Sequence, residues 1–331
     1  MAAEEQPKFE HVNDRNLALE LVRVTEAAAL AASRWMGKGK KNESDGAAVE
    51  AMRKAFDTVE ISGTVVIGEG EMDEAPMLYI GEKVGCGGPE MDIAVDPLEG
   101  TDLCAQGGPN ALSVIAMAEK GTLLHAPDVY MQKIAVGCDL PEGVVDLDAT
   151  VKNNLRNLAI ARRCEISDLV ACILDRPRHE ELIAKTREAG ARIMLISAGD
   201  VAAAIATARV DSGVDIYMGS GGAPEGVLAA AALRCRDGQM QGRLMFENQE
   251  QIDRARKMGI TDPTHVFNIH EMAGGDVVFA ATGITSGYML HGVRRTAHGA
   301  QTHSVVTRSK SGTVRYIEAH HAWATKPEAH I

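Results

Sequence analysis

Acidic side chains in this sequence are grouped in three loops that contain glycine or proline, and two of those loops follow an apolar strand pattern. The members of the three clusters are Glu69, Glu71, Asp73 and Glu74, then Asp92, Asp96, Glu99 and Asp102, and finally Glu225. A lone acid in a loop is usually a solvated surface residue. Acids at strand ends are held in fixed positions by the sheet, which is where functional groups are commonly found. The pattern therefore favours a site for hard cations.

The segment DPLEGT combines several chemical groups in six residues. Asp96 ends a predicted strand and Glu99 follows three residues later, so one turn brings both carboxylates into one pocket. The Leu98 carbonyl is placed to join them, and such oxygen ligands suit Mg²⁺ or Mn²⁺. Gly100 and Thr101 come where a helix is expected to start, and exposed amides there bind phosphate oxygens. The segment thus offers metal ligands, a phosphate cradle and a hydroxyl.

The surrounding pattern predicts alternating helices and strands. Predicted helices are residues 14–35, the segment AAVEAMRKAF capped by Ser44, and segments near 150–162, 179–190 and 200–209. Predicted strands are 63–67, 92–95, 111–118, 121–126, 132–137, 169–175, 191–196 and 214–218, with more strands over 276–318. The alternation in the second half predicts a parallel sheet covered by helices. Because residues 138–148 lack periodicity, we expect a loose tail over 1–13, an N-terminal α/β domain over 14–147 and a C-terminal α/β domain over 148–331.

Composition excludes several classes of protein. Acidic residues outnumber basic ones 46 to 34, which gives a formal charge of −12 and weighs against nucleic-acid binding. No apolar run approaches the length of a membrane span, and the acidic start does not resemble a signal peptide. The six cysteines form no CxxC motif and are typical of reduced thiols, so we expect a cytoplasmic protein.

Long stretches of the sequence resemble class II fructose-1,6-bisphosphatases of the GlpX type, within the lithium-sensitive, metal-dependent sugar and inositol phosphatases. The matching segments include DRNLALELVRVTEAAALA, SDGAAVEAMR, VVIGEGEMDEAPMLYIGEKVG, DIAVDPLEGT, APDVYMQKIAVG, CILDRPRH, GGAPEGV and FAATGIT. They cover nearly the whole chain after the tail. The resemblance implies a layered α-β-α-β-α sandwich in two domains, with the site in the cleft between them.

The same resemblance implies the site residues position by position. The metal ligands for two or more Mg²⁺ or Mn²⁺ ions are Asp45, Glu69, Asp96, Glu99 and Glu225. Thr101 is the catalytic hydroxyl that helps to activate the attacking water, together with Asp96 and Glu99. Substrate contacts are expected from Glu99, Gly100, Thr101, Tyr130, Arg176, Pro177, Arg178, Gly199, Asp200 and Gly222. Lys41 and Asp73 lie in the matching loops without a fixed role, and Glu71 is expected to be solvated or to support the ligands.

Three positions depart from the family pattern. The sequence has Lys40 where the family usually has Asp, Ala198 in SAGD where it usually has Asp, and Ser220 where Ile is common. The loss of an acid at position 198 removes one expected contact to a substrate hydroxyl. This departure leaves strict fructose specificity open, whereas the metal ligand set is intact.

The resemblance implies hydrolysis of the 1-phosphate of D-fructose 1,6-bisphosphate to fructose 6-phosphate in gluconeogenesis. The alternatives are a dual fructose-1,6- and sedoheptulose-1,7-bisphosphatase of the Calvin cycle, an inositol- or nucleotide-phosphate phosphatase, and a non-catalytic metabolite-binding protein. The expected partner is a small sugar bisphosphate, with no nucleic acid or membrane, and the expected assembly is a homodimer or homotetramer. The histidines do not form an HxxxH pair on a helix, so we expect structural or surface roles for them.

Overall fold

The computed structural model describes residues 10–70 and 77–325. Within that part of the chain, nine α-helices alternate with strands in a mixed α/β architecture. The helices are α1 (Glu10–Ala32), α2 (Lys41–Phe56), α3 (Thr101–Gln106), α4 (Val151–Arg162), α5 (Glu180–Glu188), α6 (Asp200–Ala206), α7 (Ala223–Arg234), α8 (Gln249–Lys257) and α9 (Ile269–Met272). No helix among the described residues is long and apolar enough to cross a membrane.

The strands of the described residues form two sheets. They are β1 (Ser62–Ile67), β2 (Lys83–Val84), β3 (Glu90–Glu99), β4 (Leu112–Glu119), β5 (Tyr130–Val136), β6 (Val170–Leu174), β7 (Arg192–Ile196), β8 (Ile216–Gly222), β9 (Gln239–Met245), β10 (Val266–Asn268), β11 (Val277–Gly283), β12 (Arg294–Arg295), β13 (Gly299–Arg308) and β14 (Thr313–Ala322). The first sheet has eight strands in the order β12-β13-β11-β4-β3-β1-β2, with β14 paired to β13. The second has six strands in the order β10-β9-β5-β8-β6-β7.

Strand direction differs from the prediction in the second sheet. β7, β6 and β8 are parallel neighbours, but β8, β5, β9 and β10 pair antiparallel, so the sheet is mixed. The prediction of a parallel sheet was right only for the segments that alternate with α5 and α6. β5 and β9 come from outside that alternation. β5 lies between β8 and β9 in the sheet and runs antiparallel to both, although α7 connects β8 to β9 in the chain.

The first sheet gathers strands from both ends of the chain. In the parallel pair β1 and β3, Thr64 lies opposite Asp92, and β4 continues the sheet antiparallel to β3. β11 pairs with β4, so the C-terminal strands join the N-terminal ones, while β5 lies in the second sheet. Membership of the sheets therefore crosses residue 147, the boundary drawn from the sequence.

Three apolar cores lie against the sheets. One combines α1 and α2 with one face of the first sheet, and another combines α4 and α5 with the second sheet. The largest contains α6, α7 and residues from both sheets. α7 has the sequence APEGVLAAAALR, and all but three of its residues are buried because small side chains permit close contact with both sheets. Its first turn carries Glu225.

Some predicted elements differ from the observed ones. Residues 121–126 are not a strand, since only Leu123 makes an isolated bridge to Ala273. Ser44 does not cap α2: the helix begins at Lys41, and the Ser44 hydroxyl donates to the Lys41 carbonyl at 2.8 Å. α1 begins at Glu10, inside the predicted tail, and residues 1–9 of that tail lie outside the described residues.

Candidate active site

A cavity of about 470 Å³ opens where the first sheet faces the start of α7. Acidic side chains from four separate elements line it, and we call this set the carboxylate cluster: Asp45 on α2, Glu69 after β1, Asp96 and Glu99 on β3, and Glu225 on α7. Leu98, Gly100, Thr101 and Lys41 line the same cavity. The fold thus brings residues that are up to 180 positions apart in the sequence into one concave site.

Three members of the cluster are close enough to share one cation. Asp96, Glu99 and Glu225 each offer an oxygen, and these oxygens lie within 4.8 Å of one another. One oxygen of Glu225, Oε2, is buried without a hydrogen-bond partner. An unpartnered buried carboxylate oxygen is unfavourable unless a cation or water binds it. The donor set, the spacing and the orphaned oxygen all fit a hard divalent cation.

The segment DPLEGT differs in part from its prediction: Asp96 does not end the strand, because β3 continues to Glu99 with a shift in register between Asp96 and Glu99. The Leu98 N–H donates to Asp96 Oδ1 at 3.0 Å, which fixes the Asp96 carboxylate beside the turn. Gly100 has φ of 80°, a conformation that favours glycine, and α3 begins at Thr101 immediately afterwards. Glu99 Oε1 accepts the Val201 N–H at 3.4 Å, which links this turn to the start of α6.

Burial, and after it repulsion between the acids, raises the carboxyl pKa values in the cluster. Burial, followed by the charges of Asp45 and Glu225, raises the pKa of Glu69 to about 7. Burial and the charges of Asp200 and Glu225 raise the pKa of Glu99 to about 8. The pKa of Asp96 lies well above its usual value, because of burial and then the charge of Glu99. Such shifts arise when carboxylates share a low-dielectric site without a matching cation.

Thr101 lies between the turn and α2. Its hydroxyl donates to the Leu98 carbonyl at 3.1 Å and lies near the Asp45 carboxylate, whose pKa it acts to lower. Burial raises the pKa of Asp45, whereas the charge of Lys41 and the Thr101 hydrogen bond oppose that rise. Lys41 also forms an ion pair of 2.8 Å with Asp102. A hydroxyl and a carboxylate are therefore coupled at the edge of the cluster.

Other acids from the three sequence clusters lie elsewhere. Asp92 is buried and its Oδ2 accepts backbone N–H groups of residues 121–123 at 2.7 to 3.3 Å, so it fastens a turn. Asp102 is exposed on α3. Glu71, Asp73 and Glu74 lie outside the described residues.

The predicted substrate contacts on the second sheet form a separate surface. The Arg178 guanidinium lies over the Tyr130 ring, 4.6 Å from its centroid. Arg178 Nη2 donates to the Ser220 carbonyl at 2.8 Å, and Nε lies 3.1 Å from the Ser220 hydroxyl. We call Tyr130, Arg178, His179 and Ser220 the arginine face. Pro177 begins the same turn and is exposed, and Arg176 donates only to the Asp175 carbonyl at 3.3 Å among its described contacts.

His179 holds the arginine face together. Its Nδ1 donates to the Leu174 carbonyl at 2.8 Å, and its Nε2 accepts the Ser220 N–H at 2.8 Å, so the ring is the neutral Nδ1–H tautomer. Burial and the neighbouring arginines lower the pKa of His179. The paired residues of β6 and β8 end at Cys172 and Tyr217, and the ring bridges the two strands beyond that point.

The predicted loop at 199–200 lies between the two regions. Gly199, with φ of 87°, precedes α6, and Asp200 is buried. Asp200 Oδ2 accepts from Lys133 Nζ at 2.5 Å and from the Tyr217 hydroxyl at 3.3 Å. Gly222 leads into α7, where a Cβ would lie 1.8 Å from Glu225 Oε2, so a side chain at this position would displace that carboxylate.

Comparison with known proteins identifies the family. The family model for bacterial, glpX-encoded fructose-1,6-bisphosphatase matches residues 15–321. This chain belongs to that family. It is 48% identical to fructose-1,6-bisphosphatase 1 class 2 of Escherichia coli (strain K12), over 93% of this chain and 95% of the relative. The class 2 fructose-1,6-bisphosphatases of Escherichia coli O6:H1 and Shigella flexneri match with the same identity and coverage.

For this class 2 fructose-1,6-bisphosphatase family member, sequence reasoning missed some residues of the site. Asn42 and Asp128 line the cavity, although neither was selected from the sequence. Lys133 was also missed, yet a signal for it exists: Met131, Lys133 and Ala135 alternate along β5, and a lysine among apolar residues on one strand face is unusual.

The structure also shows the surroundings of the three residues that depart from the family pattern. Lys40 lies before α2 and forms an ion pair of 3.1 Å with Glu43. Ala198 is half-buried and packs against the core of α1 and α2. Ser220 supplies a hydroxyl to the arginine face that an aliphatic side chain would not.

Proposed function

We propose that this protein hydrolyses the 1-phosphate of D-fructose 1,6-bisphosphate to D-fructose 6-phosphate and phosphate, the reaction of gluconeogenesis. The observation that carries the proposal is the carboxylate cluster: five acids of a fructose-1,6-bisphosphatase family member line one cavity. In the reaction a water oxygen bonds to phosphorus while the bond from phosphorus to the C1 oxygen breaks. Such phosphoryl transfer depends mainly on positioning and charge stabilisation.

The cluster fits divalent metal ions, since its carboxylates are close together and carry the orphaned Glu225 oxygen. We assign Asp96, Glu99 and Glu225 to one cation, and Asp45 and Glu69 to the part of the site beside it. Mn²⁺ and Mg²⁺ both accept such ligands. Bound cations would neutralise phosphate charge and lower the pKa of a coordinated water.

Thr101 and Asp45 supply the proton path in this proposal. A hydroxyl is a poor base alone, but Thr101 lies near the Asp45 carboxylate and acts to lower its pKa. When Thr101 accepts a proton from the attacking water, its own proton passes to Asp45. In this proposal the scissile phosphate lies beside Glu99, Gly100 and Thr101. The first turn of α3 follows Gly100, and no side chain of the N-cap residue binds its backbone N–H groups.

The second phosphate belongs to the arginine face. This surface includes Tyr130 and Arg178, and the turn beside it carries Arg176 and Pro177. A guanidinium binds phosphate through two parallel hydrogen bonds. We assign the sugar to Gly199, Asp200 and Gly222, which lie between the arginine face and the cluster. The buried Asp200 carboxylate is suited to a sugar hydroxyl.

We also propose a finer architecture, which the three cores support. The order of helices and sheets in these cores supports an α-β-α-β-α sandwich with a metal-binding part and a substrate-binding part, divided by the cleft rather than strictly at residue 147. We propose a homodimer or homotetramer. We also propose a cytoplasmic location, in line with six cysteines that form no disulfide.

The test is phosphate release by the purified protein with Mn²⁺ or Mg²⁺. The substrates are fructose 1,6-bisphosphate, sedoheptulose 1,7-bisphosphate, inositol 1-phosphate and fructose 6-phosphate. We expect the highest kcat/KM on fructose 1,6-bisphosphate. A higher value on the seven-carbon sugar would replace the proposed substrate, and release from none of them by folded, metal-loaded protein would refute the proposed function.

A further inference from the structure

A buried ammonium group lies beneath the predicted sugar-binding segment. Lys133 is on the central strand β5, and its side chain is only 2% exposed. Lysine is among the residues least often buried, because removing its charge from water is unfavourable unless the charge is paired. The position of this lysine therefore requires an explanation in terms of its partners.

The partners of Lys133 are two groups of the predicted substrate site. Nζ donates to Asp200 Oδ2 at 2.5 Å and to the Gly222 carbonyl at 3.0 Å. The Tyr217 hydroxyl donates to the same Asp200 oxygen at 3.3 Å. Both described hydrogen bonds to this carboxylate thus end on Oδ2, and Oδ1 is the oxygen that remains for a ligand.

The network also lies against the carboxylate cluster. Asp200 is followed by Val201, whose N–H donates to Glu99, and Gly222 lies directly beside the Glu225 carboxylate. A Cβ at Gly221 would lie 2.1 Å from Asp200 Oδ2 and 3.0 Å from Lys133 Nζ, so the pair is enclosed by backbone. One ammonium group therefore joins the segments that lead to two cluster members.

The absence of an acid at position 198 increases the importance of this pair. In the segment SAGD, Ala198 stands where the family usually has an acid, and it packs against the core. Asp200 is therefore the acid that this turn presents. The orientation of Asp200 then determines which sugar hydroxyls the turn can bind. Hydrogen bonds to a charged partner are the ones that fix such an orientation best.

We propose that Lys133 is a positioning residue for sugar recognition: with Tyr217 it holds Asp200 Oδ2, which leaves Oδ1 for a hydroxyl of the fructose phosphate. This inference rests on the proposed function. It concerns binding of the sugar and not the breaking of the phosphate ester bond. Removal of Lys133 should therefore affect KM more than kcat.

The experiment compares Lys133→Met with the wild type and with the control Lys120→Met, a lysine that forms an exposed ion pair with Glu90. We expect Lys133→Met to raise the KM for fructose 1,6-bisphosphate by ~10-fold or more, with kcat changed less than ~3-fold, as for loss of a charge-assisted contact. Calorimetry should show a similar loss of affinity for fructose 6-phosphate. Lys120→Met should match the wild type.

Binding of Mn²⁺ alone separates positioning from a collapsed site. Lys133→Met removes a positive charge near the carboxylate cluster. The affinity for Mn²⁺ should therefore stay unchanged or increase, because the lysine ammonium no longer repels the cation. Weaker Mn²⁺ binding together with unchanged binding of fructose 6-phosphate would overturn the inference. Tyr217→Phe is the milder variant if Lys133→Met does not fold, and we expect it to raise KM by ~2- to 5-fold.

A double-mutant cycle gives the sharpest result. If Lys133 acts through Asp200, Lys133→Met should change the KM of an Asp200→Asn protein by less than ~2-fold. Multiplicative effects of the two changes would contradict the inference. If the wild type hydrolyses fructose 1,6-bisphosphate and Lys133→Met has the same KM, this inference is refuted and the proposed function is not. If the wild type is inactive, the proposed function is refuted.

Discussion

The carboxylate cluster and the arginine face lie in one molecule but differ in how their charges are matched. In the cluster, burial and repulsion between acids raise the pKa values of Glu69 and Glu99 to about 7 and about 8. On the arginine face, Arg178 and His179 instead have their hydrogen-bond partners within the protein, at Ser220 and Leu174.

This difference indicates which region depends on a ligand. The arginine face is held by protein hydrogen bonds, so in the proposed function we expect it to be preformed for a substrate phosphate. In the carboxylate cluster the charges of Lys41 and Lys133 oppose but do not cancel the rise in the pKa values of Asp45 and Glu225, so we expect a bound cation to stabilise the cluster. Changes in the cluster should therefore affect catalysis and metal binding, while changes on the arginine face should affect substrate affinity.

The largest effect should come from Asp96→Asn. Loss of this carboxylate removes a ligand from the three-oxygen group with Glu99 and Glu225, so we expect kcat to fall by ~10³-fold or more. Because burial and repulsion raise the pKa of Asp96, the neutral amide should not lower the melting temperature in EDTA. Phosphate release and thermal melting measure the two effects.

The matched control is Glu90→Gln, which removes an exposed acid from the same strand. It should retain the activity of the wild type. An Asp96→Asn protein that keeps more than ~10% of the wild-type kcat with Mn²⁺ would show that the cluster does not act as proposed.

Arg178→Ala should give the next largest effect and sharpen the contrast. It removes a guanidinium from the arginine face, so we expect KM for fructose 1,6-bisphosphate to rise ~10- to 100-fold while Mn²⁺ affinity is unchanged. Initial rates and Mn²⁺ calorimetry provide the measurements. The control is Arg187→Ala, which changes an exposed arginine on α5. If Arg178→Ala has the same KM as the wild type, Arg178 does not bind the substrate phosphate.

Stability without metal should depend on pH. The folded protein binds protons at Glu69 and Glu99 more tightly than the unfolded chain does, since their ordinary pKa of 4.5 is raised to about 7 and about 8. The contribution is therefore present at low pH and is lost as pH rises through that range. In EDTA the melting temperature should fall by several degrees between about pH 5 and about pH 8.5. Saturating Mn²⁺ should reduce or reverse the trend, and an equal fall with Mn²⁺ would argue against metal binding there.

The smallest expected effect is that of Ser220→Ala. This change removes the hydroxyl near Arg178 Nε but keeps the carbonyl that accepts from Arg178 and the N–H that donates to His179. We therefore expect KM to change by less than ~3-fold, measured from initial rates. An increase as large as that of Arg178→Ala would mean that the hydroxyl itself orients the guanidinium.

The sequence predicted the site better where local pattern determines position. The helix after DPLEG starts at Thr101 as expected, because Gly100 adopts a backbone conformation that favours glycine, whereas β3 continues through Asp96 to Glu99 instead of ending at Asp96. The convergence of Asp45 and Glu225 on that turn followed from family resemblance, since no local rule relates α2 to α7. Lys133 was missed because its partners, Asp200 and Gly222, lie 67 and 89 residues away.

The fold was predictable to the level of α/β class and most elements. The direction of β5 and β9 depends on pairing between distant segments, which periodicity alone does not indicate. The strand expected at 121–126 is absent because Asp92 binds the backbone N–H groups of that segment and fixes a turn. Tertiary contacts thus override local strand propensity there.

The most direct test of the central claim uses the wild type freed of metal by EDTA and then titrated with Mn²⁺. Phosphate release from fructose 1,6-bisphosphate should be absent at the start and should rise to saturation with Mn²⁺. Glu225→Gln should require more Mn²⁺ for the same rate. Release at the full rate in EDTA, by protein shown to contain no metal, would contradict the account.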